Sequence, residues 1–324
     1  MLGLYISIAV LLFVAICLFG IGFYLFNRIC KRQASRPQTF EAQFTEYKLS
    51  LATETRLRSD YEWFDENKTR DVCAISNDGL RLVATLIDAP KHTEPKGIIL
   101  LFHGYHSNAR RDFCMQLRIL HNAGYHLLIA DQRAHDRSDG RYICYGVKEA
   151  EDVLVWRKEA SKIYGNELPI AFMGLSMGGA TVLMSSSLVD ASDTSVRCVV
   201  ADCPFSSPKS IVSHVMKNYN KIPPQPLLAF ANFWCRWLAR FSLDAPSAAE
   251  CLKRSHLPAL LFRGDADDYV PIIHSKKVVE LSPKRVELIT ISGAKHAEAI
   301  YYDEKRYNEQ LFAFLNKYMK PAKE

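Results

Sequence analysis

The stretch Ala171-Phe172-Met173-Gly174-Leu175-Ser176-Met177-Gly178-Gly179-Ala180 leaves a backbone few choices. The apolar run at 168–173 suits a buried parallel strand, and Ala180-Thr181-Val182-Leu183-Met184 continues with helical composition. Between them, G-x-S-x-G with a third glycine behind it makes a strand-to-helix turn. Backbone approaches backbone in so sharp a turn, and glycines 174, 178 and 179 remove the β-carbons that would collide. Ser176 is then held out as an exposed hydroxyl. The plain alternative is a glycine-rich turn with a solvated serine. A base, an acid and backbone N–H donors supplied elsewhere in the chain decide between the two.

Strand and helix patterns alternate around that turn. Val72-Cys73-Ala74-Ile75-Ser76 and Leu80-Arg81-Leu82-Val83-Ala84-Thr85-Leu86 flank Asn77-Asp78-Gly79, a hairpin signal. Apolar runs at 97–102, 125–131, 196–201, 258–263 and 285–291 follow, with amphipathic helices at about 109–123, 147–164 and 304–318. Such alternation predicts an α/β fold, a mostly parallel sheet with helices on both faces. It breaks at about 204–256, where Pro204, Pro208, Pro223, Pro224, Pro226 and Pro246 separate two helix-like pieces. This stretch reads as an inserted helical lid.

Residues 2–26 contain 25 side chains without one charge, enough for a helix that crosses a hydrocarbon core of roughly 30 Å. A cleaved signal peptide is the competing reading; the absence of a basic leader, the length of the run and the lack of a small-residue cleavage site argue against it. Arg28, Lys31, Arg32 and Arg36 precede the first acidic residue, Glu41, so the positive-inside rule puts the bulk of a single-pass membrane protein in the cytoplasm. Residues 27–70 read as a tether that becomes a docking helix, from the spacing of Phe44, Tyr47, Leu51 and Leu57, and residues 71–324 as the catalytic unit.

The net charge of +6, with no basic block interleaved with aromatics, gives no support to nucleic-acid binding. Nine cysteines without a C-x-x-C pair argue against a disulfide framework and a zinc site, and nothing calls for a metal or an organic cofactor.

In an open parallel sheet the working residues gather beyond the carboxyl ends of the strands. Ser292-Gly293-Ala294-Lys295-His296 leaves the last strand and brings a histidine to that edge, the candidate base. His103 and His106 are rivals, but both precede the serine in a glycine-containing loop. Gly264-Asp265-Ala266-Asp267-Asp268-Tyr269-Val270-Pro271 offers three carboxylates, any of which could accept the histidine N–H.

Serine, acid and histidine in that order, each after a strand, resemble the α/β-hydrolase superfamily over about residues 74–318. The acid loop of that superfamily often reads G-x-x-D-x-x-V-P, and the match of Gly264, Asp267, Val270 and Pro271 selects Asp267. The resemblance also implies that His103-Gly104-Tyr105 is an oxyanion loop, with the backbone N–H groups of Tyr105 and Met177 as donors. Asp131-Gln132-Arg133-Ala134-His135, Asp202-Cys203-Pro204-Phe205 and Lys295-His296-Ala297-Glu298 resemble a branch of membrane-anchored bacterial hydrolases, serine-aminopeptidase-like and monoacylglycerol-lipase-like. Asp136 departs from it, because Ala-His-Gly-Arg-Ser is usual there.

These readings imply a serine hydrolase of carboxylic esters, lipase-like, that works through Ser176, His296 and Asp267. A silent membrane scaffold is the alternative from another class, and peptidase or acyltransferase chemistry could use the same triad. In the insertion, Leu227, Phe230, Phe233, Trp234, Trp237 and Phe241 form one helical stripe expected to roof the pocket, with Trp234 and Trp237 touching an apolar or lipid-like substrate. The insertion is also basic: seven cations between Phe205 and His256 face only Asp244 and Glu250, an excess of +5 that would draw it to an anionic leaflet.

Overall fold

In the computed structural model, which describes residues 1–44 and 50–320, the apolar runs become eight strands of one sheet. These are β1 (Arg70–Ile75), β2 (Arg81–Ile87), β3 (Gly97–Phe102), β4 (Tyr125–Asp131), β5 (Ile170–Leu175), β6 (Val196–Asp202), β7 (Ala259–Gly264) and β8 (Val286–Ile291). Their spatial order is β1-β2-β4-β3-β5-β6-β7-β8. Only β2 runs against its neighbours; every pair from β4 to β8 is parallel.

The central strands β3, β5 and β7 are buried along their whole length, which is why they read as continuous apolar runs. Alternate side chains feed two cores. Leu100, Phe102 and Phe172 join the face carrying helices Glu149–Tyr164 and Met177–Ser185, and Ile99, Leu101 and Met173 join the face carrying Leu51–Asn67, Cys114–Asn122 and Glu304–Tyr318. After β3 the chain goes to one side to form β4 and to the other to form β5. The crevice at their carboxyl ends is where ligands bind in such sheets.

The segment 27–70 differs from the expected tether. The first helix runs Leu2–Cys30 rather than ending at residue 26. Its last turns enter the core, with Leu25, Phe26 and Cys30 buried. Beyond it, the Arg32 N–H bonds to Arg141 O at 2.9 Å and its guanidinium to the carbonyls of Ser138 and Asp136. The physical reason is burial: Ile29 and Cys30 continue the apolar face of Leu25 and Phe26 past Arg28, where charge first appears, and the domain covers it. Helix Leu51–Asn67, capped by Ser50, docks through Leu57, Tyr61 and Phe64, while Leu51 is exposed. Tyr47 lies outside the described residues.

Three helices, rather than two, occupy the insertion: Pro208–Asn218, Leu227–Leu238 and Ala248–Arg254. The aromatic one packs along the first helix. At the crossing, a β-carbon on Gly22 would stand 2.4 Å from Phe230 Cβ, so only glycine permits this approach. Phe19 and Phe23 lie against Trp234, at ring separations of 4.6 and 4.9 Å.

Candidate active site

Ser176 follows β5 directly, in the left-handed half of backbone space at φ 54 and ψ −111, a strained conformation for a side-chain-bearing residue. Two glycines make the turn possible. A β-carbon on Gly178 would stand 1.9 Å from Phe102 O, and one on Gly174 would stand 2.1 Å from Gly178 O. The Ser176 N–H donates to Asp202 O at 2.8 Å, which ties the turn to β6.

His296, in the loop after β8, points Nε2 at Ser176 Oγ, 2.9 Å away. Its Nδ1 stands 2.8 Å from Asp267 Oδ2, so an Nδ1–H donating to Asp267 leaves Nε2 free to accept the serine proton. Asp265 and Asp268 are exposed, and Asp265 instead accepts the Gly293 N–H at 2.6 Å. Asp267 is buried and held from three sides: by His296, by the Val270 N–H at 2.8 Å on Oδ1, and by Arg263 Nη1 at 2.7 Å on Oδ2. Burial alone would raise its pKa; the hydrogen bond from His296 and the charges of His296 and Arg263 outweigh it and hold the carboxyl below its ordinary value.

Arg263 went unnoticed in the sequence. Its guanidinium is fully buried at the end of β7 and also bonds Ser275 Oγ, Pro204 O and the Val270 carbonyl. A cation ending an otherwise apolar strand, four residues before the acid, was the available signal. His103 is no rival base: its Nε2 accepts the Gln132 N–H at 3.1 Å and its Nδ1 stands 2.8 Å from Gly104 O.

That histidine shapes the loop after β3. Gly104 N–H donates to Asp112 Oδ2 at 2.6 Å, and among the described residues the Tyr105 N–H has no protein acceptor. Met177 opens its helix, so its N–H has no acceptor there either. Among the described residues, two N–H donors without a protein acceptor thus flank Ser176. The Tyr105 hydroxyl donates to Ile29 O at 2.7 Å, and Tyr145 donates to the same carbonyl at 3.1 Å. The loop after β4 is scaffolding: Arg133 grips Asp152 at 2.6 and 2.7 Å. Asp136, where glycine is usual, sits at φ 36, a region aspartate tolerates better than most residues.

A cavity of about 250 Å³ opens at Ser176. Ile211, Val212, Val215 and Met216 of helix Pro208–Asn218 make its apolar wall, and Tyr105 and Tyr145 also line it. Arg28, Ile29 and Gln33 close it from the N-terminal side, a contribution the sequence did not reveal. Trp234 and Trp237 are absent from its lining, which corrects their expected substrate contact: Trp234 is taken up by Phe19 and Phe23, and Trp237 is 70% exposed. A larger cavity of about 440 Å³ lies apart, lined by Asp71, Asp131 and Arg137 among others, and shares no residue with the Ser176 cavity. Cys203, Asp267 and His296 hold three ligand atoms within 4.8 Å, but both imidazole nitrogens are engaged and burial pushes the Cys203 thiol up, disfavouring the thiolate a metal needs.

Asp202, beneath the turn, is fully buried, and burial pushes it up to about 6. In the unfolded chain it titrates near 3.9. Its contribution is therefore fully present below about pH 4 and lost as pH rises through about 6, which leaves a cost of about 3 kcal/mol at neutral pH. Asp202→Asn is expected to raise Tm by about 5 °C at pH 7.5 and far less at pH 4.5. Calorimetry showing equal shifts at both pH values would refute this.

Residues 93–226 match the hydrolase family described as serine aminopeptidase, S33. YqkD of Bacillus subtilis is 23% identical over 227 residues, 69% of this chain and 72% of that protein. Protein ABHD12B of Homo sapiens is 25% identical over 189 residues, 57% of this chain and 49% of its own length. Among solved structures, an esterase of Pyrococcus furiosus superposes with a TM-score of 0.63 at 25% identity, covering 79% of this chain and 93% of that one.

Proposed function

Since the chain belongs to the α/β-hydrolase superfamily and is a hydrolase, we propose that it is a membrane-anchored serine hydrolase that cleaves carboxylic esters with an apolar acyl group. Ser176 Oγ attacks the ester carbonyl while His296 Nε2 takes its proton, and Asp267 keeps the imidazole in the required tautomer. The N–H groups of Tyr105 and Met177 receive the developing oxyanion. His296 then returns the proton to the leaving alcohol, and water repeats the sequence on the acyl-enzyme.

The observation that carries this reading is the continuous chain from Ser176 through His296 to Asp267, at 2.9 and 2.8 Å, opening into a cavity with an apolar wall. Likeness to an esterase favours ester over amide substrates. The test is a panel of p-nitrophenyl esters graded by acyl length, with a fluorophosphonate probe. Labelling of the wild type, its loss in Ser176→Ala and a preference for medium or long acyl groups over acetate are expected. Folded protein that neither labels nor turns over any ester would return it to the scaffold class.

The helix Leu2–Cys30 is long and apolar enough to cross a membrane. We read it as an uncleaved anchor, with residues 71–324 in the cytoplasm because the basic cluster follows the span. A C-terminal tag digested by protease added outside intact cells, or a mature chain beginning after residue 26, would contradict this.

A further inference from the structure

The first helix and helix Leu227–Leu238 raise a question of depth. Side chains 2–17 are exposed throughout, and 16 residues of helix rise about 24 Å. A hydrocarbon core of roughly 30 Å needs about four residues more. Those residues, 18–21, include Phe19, which already meets the insertion. The Phe19 ring stands 5.1 Å from Phe233 and 4.6 Å from Trp234, and Trp234 Nε1–H donates to Phe19 O at 3.1 Å. Whatever depth Phe19 reaches, Phe233 and Trp234 reach it too.

The outward edge of that second helix is apolar. Phe233 is 43% exposed, Trp237 70% and Leu238 36%, and the Phe233 and Trp237 rings stack at 6.0 Å. We propose that helix Leu227–Leu238 is a second, non-spanning membrane element whose Phe233, Trp237 and Leu238 edge lies at the boundary between hydrocarbon and headgroups. Tryptophan is the side chain enriched at that level, with an apolar body and one N–H. Exposed Arg240, Lys217 and Lys221 and the +5 excess of the insertion suit an anionic leaflet beside it. Among possible occupants the bilayer is favoured by continuity, because the edge adjoins the exposed span and shares its depth.

The cavity follows from this placement. Ile29, in its wall, is eight residues beyond Ile21, about 12 Å along the helix. The mouth of the site therefore stands beside the headgroup layer, where an ester drawn from the leaflet arrives without crossing bulk water. This consequence rests on the ester-hydrolase reading; the placement of the helix rests only on the first helix crossing a membrane.

The full chain in nanodiscs containing anionic lipid gives the test, with lipids brominated near the headgroup end of the acyl chains as quencher. The emission lost in Trp237→Phe isolates Trp237. That emission is expected to be blue-shifted and quenched at least twofold by the brominated lipid. Red-shifted emission quenched by aqueous iodide instead overturns the proposal, and so does emission shielded from both quenchers, which would mean that protein covers the edge. In a second arm, Trp237→Asp/Leu238→Asp is expected to leave a water-soluble short ester unaffected and to lower turnover of a lipid ester in anionic vesicles about tenfold. Equal effects on both esters would count against the placement. Lipid quenching in a protein that hydrolyses no ester would uphold the placement and remove the ester reading alone.

Discussion

Ser176→Ala and His296→Ala each lower ester turnover by about four orders of magnitude or more, and the double variant is scarcely worse than either. Non-additivity is expected because the two groups perform one act: the hydroxyl is a poor nucleophile unless a base 2.9 Å away takes its proton, and the base has nothing to do without it. Asp267→Asn is also severe, since an amide in place of the carboxylate disfavours the tautomer that frees Nε2, a loss of about the same order in comparable triads. Asp268→Asn should be mild, because that residue is exposed and its contacts run to His214 and Tyr219, away from His296. Steady-state kinetics on a short ester measures all five variants. Additive losses for Ser176 and His296, or the reverse order for the two aspartates, would sink the assignment.

Deleting residues 1–32 destroys activity even toward a water-soluble ester, whereas a chain beginning at Leu18 folds in detergent and keeps that activity. The first 17 residues contribute exposed surface only. The next 15 contribute core. Leu25 and Phe26 are buried and Ile29 is partly so; at about 1.5–3 kcal/mol per large apolar side chain, their removal costs roughly 5 kcal/mol. The hydroxyls of Tyr105 and Tyr145 also lose their shared acceptor, Ile29 O, at about 1–3 kcal/mol for each group left unsatisfied. A typical domain has only about 5–15 kcal/mol in total. Tyr105 carries one of the proposed oxyanion donors, so a loosened loop costs rate as well as stability. Thermal denaturation and short-ester turnover of the two truncations decide the matter: a 1–32 deletion with the Tm and activity of the full chain would show that the anchor is only an anchor.

Much of the fold was legible because its signals are local. The runs at 97–102 and 125–131 match β3 and β4 to the residue, since a strand covered on both faces reads as a near-continuous apolar run, interrupted in β4 by His126 and ended by Asp131. Gly174 marked the turn because its collision, with Gly178, lies within one strand-turn-helix unit, whereas Gly178 answers to Phe102 O on the neighbouring strand. Serine, acid and histidine were brought to one edge by topology alone, because each follows a parallel strand and so emerges at the same end of the sheet.

What the chain left open depended on partners far away in sequence. The aromatic stripe of Leu227–Leu238 announced an apolar face but not its occupant; the occupant is a helix some two hundred residues earlier, admitted by the missing side chain of Gly22. Arg263 reads as one cation ending a strand until the fold surrounds it with Asp267, Ser275 and Pro204. Likewise the charge at Arg28 marked the end of an uncharged run without marking the end of the helix, because a side chain's cost depends on whether it meets lipid, water or protein. By itself, then, the sequence determined the order of strands and helices, the sharp turn at Ser176 and the carboxyl edge on which the polar loops meet, all set by periodicity and local sterics. Tertiary structure decided which surfaces cover one another, and through that made the end of the N-terminal helix a wall of the site, since burial is a property of two surfaces and only one of them is written in any given stretch of chain.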